Sequence, residues 1–122
     1  MSKTQFLKEH LRDMIATYIE FLKDRHEIDN QIVITADERE LLEVIAVCDH
    51  QDKPLTVTGF MAMTHLASPA TLHRKMDNLI ALNLVALHHK GKNRRTKYVK
   101  LTITALEYFA KAGAVLKMAR AA

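Results

Sequence analysis

Residues 55–102, LTVTGFMAMTHLASPATLHRKMDNLIALNLVALHHKGKNRRTKYVKLT, decide how this chain reads. Ser68-Pro69 opens a helix. Ser is a favoured N-cap, and Pro at the first helical position gives up no hydrogen bond, because that N–H has no partner inside the helix. Leu72, Met76, Leu79 and Ile80 then recur at helical spacing as a core stripe, opposite Pro69, Ala70, His73, Arg74 and Asp77. Asn83 stands where that helix must end, since Asn tolerates the left-handed backbone of a C-terminal cap. Beyond it, 84–89 and 97–102 alternate as two strands, with Val99 and Leu101 on one face. The intervening Lys90-Gly91-Lys92-Asn93-Arg94-Arg95-Thr96 is too charged for a core and reads as their loop. Upstream, Leu55-Thr56-Val57 reads as one short strand, and Thr58 as the N-cap of a short helix over 59–65 that buries Phe60 and Met63.

Working outward, Thr35-Ala36-Asp37-Glu38 is a capping-box signature. The helix it opens carries Leu41, Leu42, Val44, Ile45 and Cys48 and stops near Asp49. At the N-terminus, Leu7, Leu11, Met14, Ile15, Tyr18, Ile19 and Leu22 define an amphipathic helix over 4–23, and 24–34 reads as a connection. A last helix from about Thr102 carries Leu106, Phe109, Val115 and Leu116. The expected fold is mainly α with a small β-hairpin, a winged helix-turn-helix with flanking N- and C-terminal dimerisation helices. At 122 residues one domain is expected: 1–34 as N-terminal helix and connection, 35–102 as the winged unit, 103–122 as C-terminal helix.

Charge is divided unevenly along this order. Residues 1–64 hold 7 Lys/Arg against 12 Asp/Glu, whereas residues 65–122 hold 11 against 2. A one-sided positive field attracts polyanions, and the duplex phosphate backbone is the commonest of these in a cell. A helix-turn-helix enters the major groove by the N-terminal end of its second helix. That places Ser68, Pro69, Ala70, Thr71, His73, Arg74 and Lys75 at the DNA. Arg74 suits the O6 and N7 of guanine, Ala70 and Thr71 a thymine methyl, and His73 a base or a phosphate. Lys90, Lys92, Asn93, Arg94, Arg95 and Lys97 crowd the hairpin, where cations favour a narrow minor groove or flanking phosphates. One of them, Arg95, has the alternative of bracing the hairpin against Asp77.

The run Ser68-Pro69-Ala70-Thr71-Leu72-His73-Arg74-Lys75-Met76-Asp77-Asn78-Leu79, then Leu82-Asn83-Leu84-Val85, then Asn93-Arg94-Arg95 leading to Val99-Lys100-Leu101-Thr102, resembles the MarR family of bacterial transcriptional regulators. Each motif is weak alone; their order and spacing are specific, and they cover about 35–104. The resemblance implies a homodimer formed by terminal helices, an inverted-repeat operator, usually repression, and a wing contact through Arg94 or Arg95. It also implies a small-molecule effector, for which no residue here nominates an identity. Three departures stand out: Asn93 replaces the family's usual wing Asp, Asn83 and Ala105 replace usual glycines, and only about one helix follows Thr102.

Other chemistries find little support. The seven His are scattered, and His88 and His89 point to opposite faces of a strand, so no metal site is expected. No nucleophile–base pair, glycine-rich phosphate loop or paired carboxylates suggests catalysis, and no cofactor is expected. Cys48 reads as a thiol buried on an apolar stripe, with a redox sensor as the alternative. Neither a leader pattern nor a membrane-length apolar run is present, which makes the cytoplasm the expected compartment. Leu7, Leu11, Tyr18, Leu22, Phe109 and Leu116 either cover the core or form a dimer interface. Two other functions remain beside the regulator: a winged-helix protein-interaction module, and an architectural protein that binds DNA without sequence preference.

Overall fold

The computed structural model describes residues 2–121; the side chains of Asn93 and Ala121 lie outside the described set. In chain order the elements are α1 (Lys3–Asp29), α2 (Ala36–His50), α3 (Val57–Met61), α4 (Pro69–Ala81), β1 (Val85–Lys90), β2 (Asn93–Leu101) and α5 (Ile103–Ala121). They form two compact units, Ile34–Glu107 and the terminal segments Met1–Val33 with Tyr108–Ala122. This is a mainly α fold with one antiparallel hairpin.

In the Ile34–Glu107 unit, local chemistry sets the helix ends. Thr35 Oγ1 accepts from the Glu38 N–H at 3.2 Å while Glu38 Oε1 accepts from the Thr35 N–H at 2.9 Å, completing the capping box. Ser68 caps α4 with Pro69 in its first turn. At the other end of α4, Asn83 is left-handed at φ 58. The Leu84 N–H reaches Leu79 O at 3.0 Å and the Asn83 N–H reaches Ile80 O at 3.0 Å, the paired bonds of a Schellman cap. Leu41, Leu42, Ile45, Phe60, Leu72, Leu79, Leu84, Val85 and Val99 are fully buried, with Met63, Met76 and Ala105 beside them. α2 and α3 pack on β2, and α4 packs on α3 and β1.

Four boundaries differ from the sequence expectation. Helix α1 does not stop at Lys23; it continues through the polar stretch to Asp29, because no Gly or Pro interrupts it and Phe21, Arg25 and Ile28 extend its inward face. Arg25 lies over the Phe21 ring at 5.8 Å and its Nε sits 3.6 Å from Asp29, which also accepts from the Tyr108 hydroxyl. Helix α3 starts two residues earlier than expected and ends at Met61 rather than at 65, capped by Thr56 rather than Thr58: Thr56 Oγ1 accepts from the Gly59 N–H at 2.9 Å. The expected strand at 55–57 shrinks to one bridge between Thr56 and Tyr98 and a 2.8 Å bond from the Val99 N–H to Leu55 O. A Cβ at Gly59 would lie 3.1 Å from Leu55 Cδ1 and 3.2 Å from Thr56 Oγ1, so a larger residue here requires those side chains to shift.

The fourth difference is the hairpin. The segment expected as loop is mostly strand: Lys90 pairs with Asn93 across a two-residue turn, and Gly91 supplies the positive φ of +61. From Val85↔Leu101 to His89↔Lys97 the register is regular, and then it shifts between His89 and Lys90, so that Arg94, Arg95 and Thr96 of β2 form a bulge. Such a bulge twists and re-aims the strand end.

The terminal unit contains α1 and most of α5. Phe6, Leu7, Leu11, Met14, Ile15, Tyr18 and Ile19 of α1 are each more than half exposed, as is Met118 of α5. Among the described residues, no helix is long and apolar enough to cross a membrane. Cys48 is half-buried on α2, less enclosed than its apolar stripe suggested.

Candidate nucleic-acid interface

Helix α4 is fixed on one side by its apolar stripe and presents the other to solvent. Ser68 Oγ accepts from the Thr71 N–H at 3.3 Å and donates to Thr71 Oγ1 at 2.9 Å, so the first turn is held by its own side chains. Ser68, Pro69, Ala70, His73 and Arg74 are exposed, and Thr71 is half-buried. The amide groups at the start of a helix carry positive partial charge and suit an anion.

Lys75 stands apart from this group. Its side chain is only 13% exposed and turns to α2, with Nζ 3.9 Å from the Asp37 carboxylate. Beneath it Glu38, itself buried, accepts from the Asn78 amide and so ties α2 to α4. Burial alone would raise the Glu38 pKa. The Thr35 backbone N–H, the Asn78 amide, the Thr35 hydroxyl and the Lys75 charge together outweigh it and hold the carboxyl below its ordinary value.

Lys100 is likewise engaged, donating to Asp49 at 2.7 Å. Lys90, Lys92, Arg94, Arg95 and Lys97 are all exposed on the hairpin. Asn93, expected beside them at the DNA, has its side chain outside the described residues. His89 Nδ1 lies 3.2 Å from Thr96 O, bracing the bulge that carries the two arginines. Arg95, Thr96 and Lys97 form one wall of an open groove of about 440 Å³, and Thr56, Val57 and Thr58 at the start of α3 form the other. Among the described residues, no carboxylate lines it. Asp77, the alternative partner considered for Arg95, has its carboxylate 3.1 Å from His73 on its own helix.

The sequence reading missed the Thr56 and Thr58 wall, the Glu38–Asn78 tie and the His73–Asp77 pair. Only the last had a visible signal, the i,i+4 spacing of opposite partners on a helix. Among the described residues, no three His, Cys, Asp or Glu side chains gather in a way that would hold a metal ion.

No protein-family profile and no curated protein sequence matches the chain. Solved structures do. YusO from Bacillus subtilis is 22% identical, with 99% of this chain and 82% of that chain covered, at a TM-score of 0.62. MepR of S. aureus in complex with DNA is 16% identical over 94% of this chain and 78% of that one, at 0.57. MepR has also been solved with ethidium bromide, at 0.66 with 17% identity over 97% and 77%. The transcriptional regulator Tm0710 from Thermotoga maritima is 15% identical over 93% and 74%, at 0.61. The structures that this chain resembles are MarR-family regulators, and it shares their winged helix-turn-helix fold.

Proposed function

We propose that the chain is a sequence-specific regulator of transcription that binds double-stranded DNA as a homodimer on an inverted-repeat operator, acting as a repressor by occupying it. The observation that carries this reading is the exposed N-terminal face of α4, with Arg74 and His73, together with the five exposed cations of the hairpin in the same compact unit. Arg74 is the base-reading residue; Ser68, Pro69, Ala70 and Thr71 set the first turn against the groove. Lys90, Lys92, Arg94, Arg95 and Lys97 meet phosphate or the minor groove. The deep placement of Lys75 argues for a role in fixing α4 rather than in touching DNA.

The homodimer is supported by apolar surface. Leu7, Leu11, Tyr18 and Leu116 are 52%, 56%, 56% and 49% exposed, and Leu22 and Phe109 are half-buried. Exposed apolar side chains grouped on one helix face mark an interaction surface. Two copies related by a two-fold axis would meet half-sites about one helical turn apart. MepR bound to ethidium bromide supports including a small-molecule effector in the proposal.

Gel shifts on genomic fragments at ~150 mM salt, followed by selection from a random duplex pool, test the reading. Saturable, sequence-selective retention is expected. Arg74→Ala abolishes selectivity, whereas Lys92→Ala weakens every duplex alike and shallows the salt slope by about one. Salt-labile binding to any duplex with no preferred site points instead to an architectural protein. No retention at all leaves the protein-interaction module.

A further inference from the structure

Asp77 is one of the two acids in the basic half of the chain and shares the exposed face of α4 with His73 and Arg74. A carboxylate on a surface that meets phosphates opposes binding unless it serves another group. Its Oδ2 lies 3.1 Å from His73 Nδ1, one turn back, and the two side chains remain 59% and 64% exposed. We propose that His73 is a specificity-determining residue that reads an exocyclic amino group in the major groove, with Asp77 as the positioning residue that makes it an acceptor. The inference rests on the DNA-binding function proposed above and names what one of its side chains recognises.

The chemistry follows from the two ring nitrogens. Neutral imidazole carries one N–H and one lone pair. A lone pair on Nδ1 facing a carboxylate oxygen at 3.1 Å is repulsive, so the proton belongs on Nδ1 and the lone pair on Nε2. Most groups at the floor of the major groove are acceptors: N7 and O6 of guanine, N7 of adenine, O4 of thymine. The donors are the N4 amino group of cytosine and the N6 amino group of adenine. An acceptor at His73 therefore selects an amino-bearing base. Its neighbour Arg74, which only donates, selects the opposite kind of edge. Without Asp77 the ring is free to adopt either tautomer and the discrimination falls.

The test uses the full-length protein and its selected duplex, with amino-deleted analogues (purine for adenine, 2-pyrimidinone for cytosine) placed at each contacted position in turn. At one position, loss of the amino group weakens wild-type binding about tenfold, within the range of a good base contact. His73→Ala is insensitive there. Asp77→Ala loses most of the discrimination, and Asp77→Asn, whose amide oxygen also accepts from Nδ1–H, retains it. Because both residues are exposed, circular dichroism should show all variants folded. Equal sensitivity of wild type and His73→Ala at every position overturns the proposal, as does full discrimination in Asp77→Ala. In both cases selective duplex binding persists; its complete absence in the wild type instead overturns the DNA-binding function itself.

Discussion

Glu38 shows how one buried acid links the start of α2 to the helix that carries the candidate interface. Its two oxygens serve the Thr35 N–H and the Asn78 amide, so a neutral replacement cannot satisfy both equally. Glu38→Gln is expected to cost about 1–3 kcal/mol at pH 7, the range for leaving a buried polar partner poorly satisfied. The folded-state pKa is depressed, so the carboxylate's contribution is fully present above its unfolded value. It disappears as pH falls through the lower folded value. The difference between wild type and Glu38→Gln in urea unfolding should therefore be largest near neutrality and shrink below about pH 4. A difference that grows on acidification would contradict the network. Thr35 and Glu38 were legible in the sequence as a capping box; Asn78, forty residues on, was not, because nothing local marks it as their partner.

At the scale of elements, α4 owes its ends to short-range chemistry and its position to packing. Ser68→Ala removes the acceptor for the Thr71 N–H and should destabilise by about 1 kcal/mol, as other N-cap deletions do. Asn83→Ala forces an alanine to φ 58 and should cost about 1–2 kcal/mol, whereas Asn83→Gly should be near neutral. Chemical denaturation of the three variants checks both; an Asn83→Ala protein as stable as the glycine variant would count against the left-handed cap. The hairpin was only partly legible. Its cations and its two flanking strands could be read, but seven consecutive polar residues carry no alternation, and register is decided by pairing rather than by composition. The bulge that displays Arg94 and Arg95 is a product of that pairing.

For the whole molecule, the decisive features are the uneven charge and the apolar face of the terminal helices. Exposed Phe6, Leu7, Leu11, Met14, Ile15, Tyr18 and Ile19 lie along α1 at helical spacing. If they meet a second copy, Leu11→Glu places a charge in a closed apolar contact, and the solution mass by light scattering should fall from two chains to one with helix content retained. A mass unchanged by the substitution, with wild type itself monomeric, would remove the dimer from the proposal. Loss of the dimer should also lower operator affinity far more than affinity for a single half-site, since linked binding to two half-sites gives way to independent binding.

By itself the sequence determined the helix caps, the apolar stripes and the concentration of cations after residue 65. Each is set by residues within a turn or two of one another, or by composition alone. That is enough to read the winged helix-turn-helix and to point to its basic face. The sequence permitted α1 to run on past Lys23, but tertiary structure showed that it does, because Asp29 meets a tyrosine 79 residues away. It also moved the cap of α3 from Thr58 to Thr56, two residues with the same local chemistry, once Leu55 and Thr56 were held against β2. And it turned Lys75 toward Asp37 while leaving Arg74 in solvent, since only the packing of α4 on its neighbours determines which of two adjacent cations faces inward.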